Sequence, residues 1–149
     1  MTDNTSMTTR TPWHLWVVGA VAFLWNSYGA ADFLMTMVNR DAWFELMKVT
    51  PEQAAMMTAM PAWTYAAWFA GTWGAFLGAI ALLFRSRWAV PLFAVSLIGL
   101  IVSLVYTYGL SDAGASTGQQ GVVMYAIITA GALFFLWYAW TMSKRGILR

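Results

Sequence analysis

Four uninterrupted apolar runs, at 13–38, 62–84, 88–110 and 122–142, decide what this chain can fold into. Each reaches the ~20 residues that an α-helix needs to cross a hydrocarbon layer about 30 Å thick. Inside lipid every backbone N–H and C=O must be satisfied by the protein itself, which leaves helices or closed barrels. The runs lack the alternation of polar and apolar residues that barrel strands carry, so helices are predicted. Composition points the same way, because 60% of the residues are apolar and only 9% are charged, against roughly a quarter in soluble domains. Residues 1–149 are therefore read as a single all-α membrane domain, a bundle of four transmembrane helices, with no remaining stretch long enough to bury a soluble core.

Punctuation and charge supply the topology. Thr11-Pro12 sets a cap before a first-turn proline, Pro61 opens the second span and Pro91 falls in the first turn of the third. The polar tail 1–11 with Arg10 resembles the start of a signal peptide, but the apolar run after it far exceeds a signal core of roughly 7–15 residues and is read as a retained helix. Arg10, Arg85, Arg87, Lys144, Arg145 and Arg149 lie on one side of the four spans, and Arg40 and Lys48 on the other. The positive-inside rule then puts both termini in the cytoplasm. Tryptophans near the span ends (Trp13, Trp16, Trp43, Trp63, Trp88, Trp137 and Trp140) suit the headgroup level.

Between the first two spans, residues 39–60 form the one sizeable loop, expected on the outer face. Thr50-Pro51-Glu52-Gln53 reads as a capping box with proline at the first helical position, so a short amphipathic helix is predicted from Pro51 to the neighbourhood of Ala59. Its Met56, Met57 and Met60 share or adjoin one face, and thioethers are soft ligands for Cu(I) where cysteine is absent. Methionine also fills irregular apolar surfaces, which is the simpler use of such a cluster.

Few polar groups enter the spans. Asp32 lies about 30 Å along the first helix at 1.5 Å per residue, at its outer boundary, and Tyr28 shares its face. Ser27-Tyr28-Gly29-Ala30-Ala31-Asp32 is echoed by Thr107-Tyr108-Gly109-Leu110-Ser111-Asp112. If the halves repeat about an axis along the membrane normal, the two Tyr-Gly-x-x-Asp segments share a depth and line one outer vestibule. Asn26, Tyr28, Asp32, Tyr106, Tyr108 and Asp112 are then the candidate polar site, with two isolated interfacial carboxylates as the alternative. Small residues mark where helices meet: Gly19 and Gly29 flank Asn26 on the first span, Gly71, Gly74 and Gly78 stud the second, and Gly99 sits beside Ser96 on the third. His14, between Trp13 and Trp16, has no second ligand in the chain to make it a haem or pigment site.

The absences narrow function further. With no cysteine and one histidine, thiolate chemistry, disulfides and most metal sites are excluded. No serine-hydrolase elbow, zincin helix, phosphate-binding loop or dinucleotide fingerprint occurs, so no enzyme and no catalytic residue is predicted. The formal charge of +2 sits beside apolar spans, where topology explains it better than nucleic acid does. Leu24-Trp25-Asn26, Tyr28-Gly29, Thr50-Pro51-Glu52, Arg87-Trp88-Ala89-Val90-Pro91 and the closing Arg145-Gly146-Ile147-Leu148-Arg149 resemble a group of small four-span bacterial inner-membrane proteins, mostly proteobacterial. Some of that group are labelled sugar transporters. The resemblance implies a bacterial inner-membrane location and assigns no binding residue. The functional expectation is a non-catalytic component that packs against partner membrane proteins or itself, as a homo-oligomer or in a larger complex. The alternatives are a small-solute transporter, for a sugar or proton-coupled, working as an oligomer, and Cu(I) binding at the outer methionines. No cofactor is expected beyond bound lipid.

Overall fold

The computed structural model describes residues 10–149, apart from the side chain of Ser116. Most of the polar tail lies outside the described residues. Within them all regular structure is helical, and four helices are long and apolar enough to cross a membrane. They are α1 (Trp13–Val38), α4 (Ala62–Leu83), α5 (Ala89–Val105) with its continuation, and α6 (Ala113–Lys144), while α2 (Arg40–Leu46) and α3 (Pro51–Thr58) fill the long loop. We call the end that carries Arg85, Lys144 and Arg149 the basic end, and the end that carries α2 and α3 the loop end.

Helix boundaries differ from the sequence reading in four places, each with a local reason. Pro12 is itself the N-cap of α1, extended at ψ 141°, and no side chain caps that helix. The third span is α-helical only to Val105, after which Tyr106–Leu110 widen into one π-helical turn. The fourth begins at Ala113 instead of Val122, and Gly118 breaks it at φ 59°, ψ −167°, a conformation essentially reserved for glycine. Finally α2 occupies loop residues for which no helix was expected. At Thr50 the capping box is present: the Thr50 hydroxyl accepts from the Gln53 amide at 3.2 Å, and the Thr50 amide donates to Gln53 Oε1 at 3.1 Å.

Three helix C-termini share one device. After α2, α4 and α6 the chain turns through the left-handed region at Lys48 (φ 55°), Arg85 (φ 57°) and Gly146 (φ 69°). In each case the following amide reaches back over the last turn: Val49 to Phe44 O at 2.9 Å, Ser86 to Ala81 O at 2.8 Å, Ile147 to Met142 O at 3.1 Å. These are Schellman caps, which satisfy carbonyls that would otherwise be stranded.

Packing is uneven along the bundle. Helices α4 and α5 lie closest, because a Cβ on Gly99 would stand 2.5 Å from Ala67 O and 2.6 Å from Gly71 N, inside any real contact. A Cβ on Gly74 would meet Leu92 O and Ser96 N at 3.2 Å, and one on Gly78 the Phe93 ring at 3.0 Å. Buried Ser96 uses that proximity to donate to Gly71 O at 2.5 Å, an interhelical hydrogen bond in a region without water. Against α4 sits α1, with Gly19 over Leu83 and Gly29 over Thr72, sealed by Phe23 on Phe76 and Phe33 on Trp68 and Phe69. The core gathers at the basic end, where Leu15, Leu82, Phe93, Phe135, Tyr138, Met142, Ile147 and Leu148 are buried together. Toward the loop end α6 has α5 and the π-turn as its main neighbours, and Val122, Val123, Met124 and Ile127 remain exposed.

Candidate functional site

The six polar candidates fall into four separate surroundings. Asn26 turns back on its own helix, its Nδ2 donating to Ala22 O at 2.7 Å. Asp32, half-buried, accepts from the indole N–H of Trp43 at 2.8 Å, and Tyr28 donates to the Met47 sulfur at 3.7 Å. Both bonds tie α1 to α2, the short helix that brings Trp43 back over the end of the span. Tyr28 and Asp32 therefore hold an elbow together. A charge-assisted bond of this kind is roughly twice as strong as a neutral one.

Tyr106 and Asp112 meet a different set. With Met56, Ala59, Met60, Ser111 and Ala113 they line a half-open pocket of about 240 Å³ at the loop end. The π-turn makes this possible. One extra residue in that turn re-aims the chain, Ser111 Oγ donates to Tyr106 O at 3.0 Å, and the Trp63 ring packs edge-on against Tyr106 at 5.4 Å. Met57 is not among the lining residues, and its carbonyl accepts from Tyr65 at 2.6 Å, which ties α3 to α4. Two thioethers, a phenol and a carboxylate around one pocket suit a small cation or an amine better than an anion. No cluster of three or more His, Asp or Glu is found among the described residues.

Tyr108 faces elsewhere. It packs edge-on against Tyr125 of α6 at 5.8 Å and, with Leu104, Val122, Ala126, Thr129, Ala130 and Leu133, lines an apolar groove of about 500 Å³ between α5 and α6. Thr129, another lining residue, spends its hydroxyl on Tyr125 O at 2.7 Å. The echoed segments thus differ in conformation as well as in neighbours: 27–32 lie inside the regular helix α1, whereas 107–112 run through the π-turn and out of it.

Two arrangements had no clear trace in the sequence reading. His14 Nδ1 lies 2.5 Å from the Tyr138 hydroxyl, which gives the lone histidine a partner 124 positions away and ties α1 to α6 at the basic end. Residues 146–149 fold back onto the turn after α4: the Arg149 amide donates to Arg85 O at 2.7 Å, the Arg87 amide to Arg149 O at 3.0 Å, and Arg85 Nε to Ile147 O at 3.4 Å. The signal was a glycine followed by two aliphatic residues in an otherwise basic tail, which is how a chain turns and then buries a hydrophobic end. No protein-family model matches the chain, and neither curated proteins nor solved structures give a match.

Proposed function

We propose that the chain is a non-catalytic component of a bacterial inner membrane, with both termini cytoplasmic, that assembles through the loop-end half of α6 with a transmembrane helix of a partner protein or of a second copy. One observation carries this reading: beside the edge-on contact of Tyr108 with Tyr125, an open apolar groove of about 500 Å³ runs between α5 and α6, lined by Ala126 and Ala130 among others. Small residues let a further backbone approach, and lipid tails are as apolar as leucine, so close packing must supply the attraction. The basic asymmetry of six residues against two supports the orientation.

The test is a photo-crosslinking residue at Ala130, activated in native membranes. An adduct of twice the chain mass identifies self-assembly, and one of another defined mass identifies a partner. Adducts to lipid alone would contradict the reading.

A second reading, a small-solute transporter working as an oligomer, draws on the loop-end pocket with Tyr106 and Asp112. Uptake into proteoliposomes that falls on Asp112→Asn in a folded protein would favour it. Uptake unaffected by that change would remove the pocket as its support.

A further inference from the structure

At the basic end the fold assembles charges that the sequence keeps apart. Docking of residues 146–149 brings Arg149 against Arg85 and Arg87 across more than sixty positions of chain. Main-chain groups make the contact, with Ile147 and Leu148 buried at 4% and 3% exposure as its apolar anchor. The side chains of Arg87 and Arg149 are left exposed, and Arg85 commits only its Nε. Arg85 also occupies a left-handed cap position, φ 57°, where glycine would be relaxed. Among the described residues no side-chain carboxylate belongs to this end, since Asp32, Asp41, Glu45, Glu52 and Asp112 all lie toward the loop end, and the main-chain carboxyl of Arg149 accepts from the Arg87 amide. Lys144 differs, because its ammonium sits 3.8 Å above the Trp140 ring.

The surroundings say which anion such a cluster meets. Phe84 and Trp88, 81% and 70% exposed, flank the arginine turn on both sides in sequence, and Trp140 stands one turn before the tail. Tryptophan rings such as those of Trp88 and Trp140 rest at headgroup depth, where guanidinium groups find phosphodiesters and not bulk water. Guanidinium presents paired donors that match phosphate oxygens. We propose that Arg85, Arg87 and Arg149, held together by the docked tail, form a binding site for the phosphate headgroup of an anionic phospholipid.

The test uses the full chain in mild detergent, titrated with phosphatidylglycerol and, separately, phosphatidylcholine, with bound lipid read by native mass spectrometry. Phosphatidylglycerol is expected to bind the more tightly. The double change Arg87→Gln with Arg149→Gln should weaken it by more than about tenfold, at about fivefold for each charge removed near the membrane surface. Arg10→Gln with Lys144→Gln removes the same charge outside the cluster and should weaken it by clearly less than the first pair does. Because the docking bonds are made by the main chain, the first variant should keep the parent's melting temperature. If it does not, the single changes Arg87→Gln and Arg149→Gln should each weaken phosphatidylglycerol binding by about fivefold in a variant that melts as the parent does, and no loss in such a variant would overturn the site. Equal losses in the two double variants would show diffuse charge and overturn the site. So would equal binding of both lipids, or displacement of phosphatidylglycerol by millimolar inorganic phosphate, which would make the site one for free anion.

Discussion

At the scale of single residues, the contact between α4 and α5 rests on atoms that are missing. A side chain at Gly99 has nowhere to go, because the obstacles are Ala67 O and the Gly71 backbone and not a movable side chain. Gly19 is the contrast: its nearest obstacle is the Leu83 side-chain tip at 2.6 Å, which can rotate away. Gly74→Leu and Gly99→Leu are therefore expected to destabilise the protein by about 1–3 kcal/mol through overpacking, and Gly19→Ala by much less, as measured by thermal unfolding in detergent. Equal melting temperatures for all three would mean that the helices do not meet there. The Asp32–Trp43 bond gives a second residue-scale prediction. Trp43→Phe keeps an aromatic ring, smaller than the indole, and removes the donor; loss of the hydrogen bond should cost about 1 kcal/mol, less than a fully buried charged bond would, because Asp32 is only half-buried. Asp32→Asn, which leaves an acceptor for the indole, should cost less than Trp43→Phe.

Between residues and the whole lie the elements whose ends and breaks position the candidate sites. Gly118 and Gly109 form a matched pair for testing the break in α6. Neither has an atom within 4 Å of a would-be Cβ, but only Gly118 has a positive φ. Gly118→Ala should cost about 1–3 kcal/mol through backbone strain alone, while Gly109→Ala should be close to neutral, again by thermal unfolding. Loss at both would point to unseen packing and not to conformation. The docked tail is tested in the same way: Leu148→Ala should destabilise by about 2 kcal/mol or more if the side chain is part of the core. How far such elements were readable depended on whether the signal was local. Thr50 and Gln53 carry a cap written in adjacent residues, and it is present. The start of α6 was hidden because Gly114, Gly118 and Gly121 with Gln119 and Gln120 look like a loop, and the helix persists there only with a break. The π-turn at Tyr106–Leu110 leaves no periodic signature over five residues, and α2 is too short and too charged to register as a helix.

For the molecule as a whole, the four spans were legible because hydropathy acts over about twenty residues and no alternative structure can hide that much apolar surface from water. The grouping of the polar candidates was not legible. It depends on where α2 and α3 fold back, which separates Tyr28 and Asp32 from Tyr106 and Asp112 even though the segments look alike in sequence. Orientation can be checked directly, since a chain without cysteine accepts single reporters cleanly. Cysteines at Ser86 and Ser143 are expected to be shielded from an impermeant thiol reagent in intact cells, and one at Thr50 to be labelled; labelling at Ser86 would invert the topology. The reading of α6 as an assembly surface is tested most directly by the size of the assembly in mild detergent, with the wild type compared to an Ala126→Trp, Ala130→Trp variant that fills the groove. The expected result is a wild type that runs with a second copy or a partner and a folded variant that runs as a single chain. A wild type that already runs alone, or a variant that keeps its companion, would contradict it.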